Sequence, residues 1–245
     1  NIGNYHNKQC EYEKAMSYYL QALRISEDID DKEEIFWQYW KIAGNDIRSG
    51  DYETGLSKIN QIINFINKTK VLIKYKYNCL KNKGKVYFSV GKYNQSLKYY
   101  KQSYIECQNN NNKHQMTHRC IDIAKCYYQL GEYTNSIKYI RKVHSQEIDG
   151  SDWLNGHLIL SLINKKQGKD IDEKIIDSFI KIDENDTEYF DNYAIYQIIK
   201  DKSYLEIANK QIQERLREIT KGFKAKFLSY PIPSAIVEEW DKLTP

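Results

Sequence analysis

The chain has 245 residues and a formal net charge of +4 at pH 7. Hydrophobic residues make up 41% and charged residues 29% of it, and there are 22 tyrosines. This composition argues against a disordered chain, and so small a positive excess argues against a dedicated nucleic-acid binder. All three prolines lie after residue 230, so nothing in the earlier sequence forbids long helices.

A short turn sequence recurs along the chain at a nearly constant spacing. Its copies begin at Cys10, Gly50, Gly91, Gly131, Gly168 and Lys202, which are 40, 41, 40, 37 and 34 residues apart. In the first four copies a tyrosine follows two residues later. A period of this length indicates stacked two-helix units, with each turn joining the two helices of one unit.

The helix after each turn carries small and bulky residues at steps of three and four. The first unit has Tyr12, Ala15 and Tyr19, and the third has Tyr93, Ser96 and Tyr100. Such steps place the residues on one helical face. The small residues of this face predict that the second helix approaches the first closely; in the first four units they are Ala15, Gly55, Ser96 and Ser136.

The helix before the turn has its own signature, which is clearest as Leu80-x3-Gly84-x2-Tyr87 and Cys120-x3-Ala124-x2-Tyr127. These positions match the pattern W-x2-L-G-x2-Y, and the turn and second helix match G-x-Y-x2-A-x3-F-x2-A. The sequence therefore resembles the tetratricopeptide repeat family over residues 1–215. The resemblance implies an all-α fold, a right-handed superhelical solenoid of antiparallel helix hairpins with a C-terminal capping helix.

Two departures from the family pattern accompany this resemblance. The period is about 40 residues rather than the usual 34, which resembles the long-helix variants of kinesin light chains, bacterial peptide-pheromone receptors and the sensor ends of large signalling ATPases. The closing proline of the short repeat is also missing. We therefore expect longer helices joined by tighter or polar loops.

The periodicity predicts a solenoid over residues 1–228 and a proline-containing tail over 229–245. The six predicted hairpins are 1–28, 31–67, 69–109, 113–146, 151–182 and 186–228. Because the first lacks most of its leading helix, we expect a further unit or domain upstream. An apolar stripe from Leu205 to Phe227 predicts one continuous capping helix, which Pro231 and Pro233 break before a short helix over 234–243. We expect this tail to fold back over the end of the solenoid; a docking peptide is the alternative.

Ligands of this family lie on the concave surface formed by the first helices of successive hairpins. Aligning the units places bases and aromatics together on that surface, and we expect its lysines to be exposed. The predicted ligand-binding residues are Trp37, Trp40, Lys41, Arg48, Asn78, Lys81, Lys85, Phe88, His118, Lys125 and Tyr128. Such a face would suit an acidic segment or a C-terminal carboxylate of another protein. The alternatives are that the lysines form a solvated face and that the two tryptophans are core residues.

Other residue patterns point away from chemistry. The sequence has no phosphate-binding loop, dinucleotide fingerprint, zinc-protease motif or nucleophile elbow, so we expect no enzyme activity and no cofactor. His114 and His118 stand four apart, but no third ligand accompanies them, so no metal is expected. The five cysteines form no CxxC pair and are read as reduced packing residues. No signal peptide or membrane-length apolar run occurs, which favours the cytoplasm.

These observations predict a module that binds a protein or peptide, as a scaffold or as the sensor of a larger regulatory protein. Two alternatives remain open. Bases interleaved with aromatics also suit RNA or single-stranded nucleic acid, which the nearly neutral charge makes the less favoured partner. The array could instead regulate a protease or ATPase domain that precedes residue 1.

Overall fold

The computed structural model describes residues 2–144, 150–171, 173–180 and 187–243. It is all-α, which confirms the predicted fold class. The helices are α1 (Ile2–Lys8), α2 (Tyr12–Asp28), α3 (Lys32–Ser49), α4 (Tyr52–Thr69), α5 (Lys76–Ser89), α6 (Tyr93–Asn109), α7 (Lys113–Gln129), α8 (Tyr133–His144), α9 (Gly150–Lys166), α10 (Glu173–Ile180), α11 (Tyr189–Ile199), α12 (Lys202–Glu218), α13 (Lys224–Leu228) and α14 (Pro231–Leu243). Consecutive helices pack as antiparallel pairs that stack along the chain.

The turns inside the hairpins use a left-handed residue followed by the start of the next helix. Backbone φ is positive at Cys10, Gly50, Gly91, Gly131 and Gly168, the residues at which the recurring turn sequence begins. The sixth turn was wrongly placed at Lys202. Its left-handed residue is Lys200, with φ 62°, and Asp201 caps α12 by accepting a hydrogen bond from the Ser203 amide. The sixth turn therefore begins two residues earlier in the chain than the position of Tyr204 suggests.

The small residues of the repeat do allow close helix packing. A Cβ on Gly84 would lie 2.6 Å from the Tyr100 ring, and one on Gly55 would lie 2.6 Å from Ile47. The Ser96 hydroxyl donates to the Gly84 carbonyl at 2.8 Å. One unit later the Ser136 hydroxyl donates to the equivalent carbonyl at 2.9 Å. Both serines are fully buried and cannot reach water. These hydrogen bonds therefore supply the partners that the two hydroxyls need.

The C-terminal helices differ from the prediction in two places. The predicted continuous helix ends at Glu218, because Ile219 is extended, and the Thr220 amide donates to the Ser49 carbonyl at 3.0 Å. The last helix begins at Pro231 rather than after Pro233. Proline is accepted there because the first-turn amides of a helix have no intrahelical partner.

The segment after α12 returns to the second and third units. Tyr230 stacks on Tyr52 with ring centroids 5.7 Å apart, and Pro231 packs on the turn glycine Gly91. On α14, Ile236 is fully buried in a cluster with residues of α12. The chain thus closes on itself through its C-terminal segment. The division at residue 228 stays a prediction, as does the capping role of the tail.

Three further features complete the fold. The loops expected at 144–150 and 183–186 fall largely outside the described residues. None of the five cysteines forms a disulfide bond, and four of them are buried. Within 2–144, 150–171, 173–180 and 187–243, no helix is both long and apolar enough to cross a bilayer.

One buried carboxyl group on α3 makes the stability of the fold depend on pH. Asp46 is 6% exposed, and its Oδ2 has no hydrogen-bond partner among the described residues. Burial, with repulsion from Asp51, raises the pKa of Asp46 to about 6. The folded chain therefore holds the proton more tightly than the unfolded chain, so stability falls as the pH rises through the window from about 4 to about 6.

We expect Asp46→Asn to stabilise the fold at pH 8 by about 1–2 kcal/mol, since it removes a buried charge that lacks a partner. At pH 4 the difference between variant and wild type should shrink, because wild-type Asp46 is then mostly protonated. Urea denaturation of both proteins at the two pH values measures this. Glu13→Gln, an exposed carboxyl on α2, is the control and should stay within about 0.5 kcal/mol at both. Equal gains at pH 4 and pH 8 would contradict the titration.

Candidate functional site

Two lysines of the predicted binding surface lie opposite acidic residues at the start of α11. Lys85 Nζ on α5 is 3.1 Å from Glu188 Oε1, and Lys125 Nζ on α7 is 3.2 Å from Asp191 Oδ1. The first pair is mostly exposed and the second is about 19% exposed on both sides. We call the surface formed by Lys85, Phe88 and Lys125 the lysine face. The expectation that Lys125 is exposed is wrong, because α11 covers its side chain.

Aromatic contacts join the same two surfaces. The rings of Phe88 and Phe190 meet edge to face with centroids 5.8 Å apart. Lys125 Nζ also lies 4.6 Å from the centroid of the Phe190 ring. Lys125 Nζ therefore contacts both a carboxylate and an aromatic ring. Both kinds of group attract a lysine cation.

A cavity of about 300 Å³ opens beside these contacts. It combines cations, an amide and aromatic rings, and part of its wall comes from the start of α11. Its lining includes Lys85, Phe88, Ser89, Tyr100, Asp122, Lys125, Asn155, Glu188, Phe190 and Asp191. The volume is at the lower end of the range for small ligand pockets, enough for one or two side chains.

The charges near this cavity perturb one another. Burial raises the pKa of Asp122 although Arg119, whose Nε lies 3.0 Å away, opposes the shift. Burial alone would lower the pKa of Lys125, but Asp191 and Asp122 outweigh it and raise that pKa. For Lys81, burial and the Arg119 charge outweigh the opposing effect of Asp122 and lower the pKa. Lys125 therefore keeps its charge in a largely desolvated setting, where an ion pair is stronger than at the surface.

Of the four predicted residues of α3, Trp37, Trp40 and Lys41 do not line the cavity at the lysine face, whereas Arg48 lines a second cavity, of about 550 Å³, together with Lys85 and Glu188. Trp37 and Trp40 pack on Phe36 in the core cluster between α3 and α4, at 4.9 and 6.1 Å between ring centroids. Lys41 pairs with Glu34 at 3.6 Å on its own helix. Arg48 is exposed and donates to Asn7 on α1 at 3.2 Å. These contacts favour the core alternative for the tryptophans.

The remaining predicted residues are divided between surfaces. Asn78 and Lys81 are half-buried on α5, upstream of Lys85. His118 meets His114 edge to face, with ring centroids 4.4 Å apart. Tyr128 packs on Tyr133 and lines a neighbouring cavity of about 510 Å³. Of the eleven, the structure brings Lys85, Phe88 and Lys125 around one cavity.

Several residues at the cavity were not predicted. Asn155 could have been found, because the 37-residue step between the turns at Gly131 and Gly168 carries the column of His118 to position 155. Glu188 and Asp191 could not, since repeat alignment describes neighbouring units and these residues meet units two and three positions earlier in the chain. Their contact depends on how the array curves.

The structure offers no metal centre within the part of the chain that it describes. No group of three or more histidine, cysteine or acidic side chains lies within reach of one ion there.

Comparison with protein families gives one match. The tetratricopeptide repeat model matches residues 1–29 and 118–144. These segments cover α1 with α2, and most of α7 with α8, which are two of the stacked hairpins. No curated protein sequence matches the chain at a significant level.

Solved structures give wider matches at low identity. The Rap conjugation gene regulator of plasmid pLS20, in complex with the Phr* peptide, is 14% identical with a TM-score of 0.62, covering 99% of this chain and 73% of that one. A Rap protein complexed with competence and sporulation factor is 13% identical, with a TM-score of 0.55, covering 98% and 63%.

A third match comes from a protein described as a kinesin light chain with nearly identical TPR-like repeats, from Podosopora anserina. It is 10% identical with a TM-score of 0.56, and the alignment covers 68% of this chain and 84% of that one. At such identities these likenesses concern the fold. The family match places tetratricopeptide repeats at residues 1–29 and 118–144, and the likenesses show that the chain shares the all-α helical repeat fold of these proteins.

Proposed function

We propose that this chain is a peptide-binding interaction module and that the lysine face binds an acidic segment of a partner protein. The observation that carries the proposal is the convergence of Lys85, Lys125 and Phe88 around one cavity. Two cations and an aromatic ring are the groups that hold a carboxylate-bearing segment.

The relatives in fold support a binding role. Two of the matched structures are Rap proteins, one solved with the Phr* peptide and the other with competence and sporulation factor. The tetratricopeptide-type fold is generally non-catalytic, which agrees with a chain that binds rather than reacts. A scaffold or sensor role in a larger regulatory protein, in the cytoplasm, belongs to the same proposal.

The charges at the site favour a peptide over a nucleic acid as the partner. Lys125 lies between Asp122 and Asp191, and Glu188 faces Lys85, so carboxylates already share this surface with the lysines. A phosphate backbone would meet those carboxylates at several points, whereas a short acidic segment needs only one or two cations. We therefore favour the peptide.

The test is binding of a fluorescent acidic peptide, Asp-Glu-Tyr-Phe-Asp-Glu, measured by anisotropy at two salt concentrations. We expect Lys85→Gln with Lys125→Gln to weaken binding by about tenfold or more, because both charge-assisted contacts are lost. Lys68→Gln with Lys138→Gln is the matched control, since both lysines are exposed on second helices of the hairpins. It should bind like wild type.

The same measurement separates the alternatives. Binding of a twelve-residue oligouridine that is stronger than peptide binding and falls steeply with salt would replace the peptide with nucleic acid. Equal loss in both lysine variants would show that only net charge matters and would remove the lysine face from the proposal. Circular dichroism must show that each variant stays helical.

A further inference from the structure

The start of α11 presents to the lysine face the same chemistry that the proposed partner would present. The segment Thr187–Asp191 reads Thr-Glu-Tyr-Phe-Asp, in which one acid precedes and one acid follows a pair of aromatic residues. Its acids reach Lys85 and Lys125, and Phe190 reaches both Phe88 and Lys125. Three of the five side chains therefore contact the predicted binding residues.

These contacts are unusual for a hairpin of a repeat array. Ordinary repeats touch their neighbours, yet Glu188 contacts a lysine 103 positions earlier in the chain. Partial desolvation raises the pKa of Glu188, but the charge and hydrogen bond of Lys85 outweigh it and hold that pKa below its usual value. The acid is charged when it sits at the lysine face.

We infer that Glu188–Asp191 is an internal substitute for the ligand: the partner is a short segment with acids flanking aromatic residues, and it binds by displacing this segment from Lys85 and Lys125. The inference rests on the proposed function. It adds the sequence chemistry of the partner and the step that limits access to the site.

The strength of the contact fits displacement. The Lys85–Glu188 pair is 62% and 66% exposed, so solvent screens it and it stabilises the contact little. The Lys125–Asp191 pair is more buried, so solvent screens its attraction less. The Glu188 amide also donates to Asp191 Oδ2 at 3.4 Å, which links the two acids within the first turn of α11. A partner segment that reproduces both acids and an aromatic can therefore compete with it.

The experiment uses the full chain and a fluorescent synthetic peptide with the sequence of residues 187–193. We expect Glu188→Gln with Asp191→Asn to bind this peptide about five- to tenfold more tightly than wild type, because the site is then unoccupied in a larger fraction of molecules. Glu206→Gln with Glu214→Gln removes two exposed acids from α12 and should leave affinity unchanged. A peptide with glutamine and asparagine in place of its acids should bind neither protein.

Each result has a separate meaning. If wild type binds as tightly as the released variant, and both lose binding with Lys85→Gln and Lys125→Gln, the internal substitute is wrong and the proposed function stands. If the peptide binds none of the proteins, both fail. Should the double variant unfold, Glu188→Gln alone is used, together with hydrogen exchange of wild-type residues 187–192. Saturating peptide should speed that exchange if the segment is displaced, and unchanged exchange overturns the inference.

Discussion

Gly84→Ala is expected to destabilise the protein by about 2 kcal/mol, although alanine is the better helix former. The added methyl carbon would lie 2.6 Å from Cδ1 and 2.7 Å from Cε1 of Tyr100. That ring is 4% exposed and cannot move into solvent, so α5 and α6 must separate. Overpacking of this kind costs about 1–3 kcal/mol or somewhat more, against a helical gain of about 1 kcal/mol.

The matched control is Gly44→Ala on α3. Gly44 is also inside a helix, but nothing lies within 4 Å of the carbon that alanine would add. It should gain about 0.5–1 kcal/mol from helix propensity alone. Urea denaturation of the two variants therefore separates packing from propensity. If both glycines respond with the same sign, close approach is not the reason for Gly84.

The repeat period carried most of the fold, for a physical reason. Each hairpin buries its face against its neighbours, so Tyr100 and the equivalent Tyr19 are buried by contacts that lie within about 40 residues. Helical spacing records such contacts directly. The exceptions are at the C-terminus, where the helix ends at Glu218 because the Thr220 amide bonds to Ser49, a residue of the second unit. No local pattern contains that partner.

The residues of the candidate site could be predicted from the sequence less completely than the fold. Column alignment finds residues that share a helical face, and it aligns Lys85 with Lys125, which line one cavity. It does not distinguish a side chain that faces the groove from one that packs against the core cluster, as the partly buried Trp37 and Trp40 do. It also cannot supply Glu188 and Asp191, whose contacts follow from curvature of the whole array. Short-range periodicity leaves that curvature undetermined.

Gly91→Ala should destabilise the protein by about 2–4 kcal/mol through the closure of the C-terminal segment. Gly91 has φ +77°, and a Cβ there would lie 2.6 Å from Pro231 Cγ and 3.1 Å from its Cδ. The variant therefore carries two penalties. The left-handed conformation costs about 1–2 kcal/mol for an L side chain, and the contact with Pro231 adds overpacking.

Gly131→Ala isolates the first penalty, because Gly131 has φ +74° but nothing within 4 Å of the added carbon. We expect it to lose only about 1–2 kcal/mol. Hydrogen exchange should then separate the two further, with faster exchange over 231–243 in Gly91→Ala alone, since α14 has to move away from the third unit. If the two variants lose equal stability and exchange alike, the packing of Pro231 on the turn contributes nothing to closure. A larger loss at Gly91 would instead mean that α14 joins units far apart in sequence, and that the array is held closed by this contact as well as by its repeats.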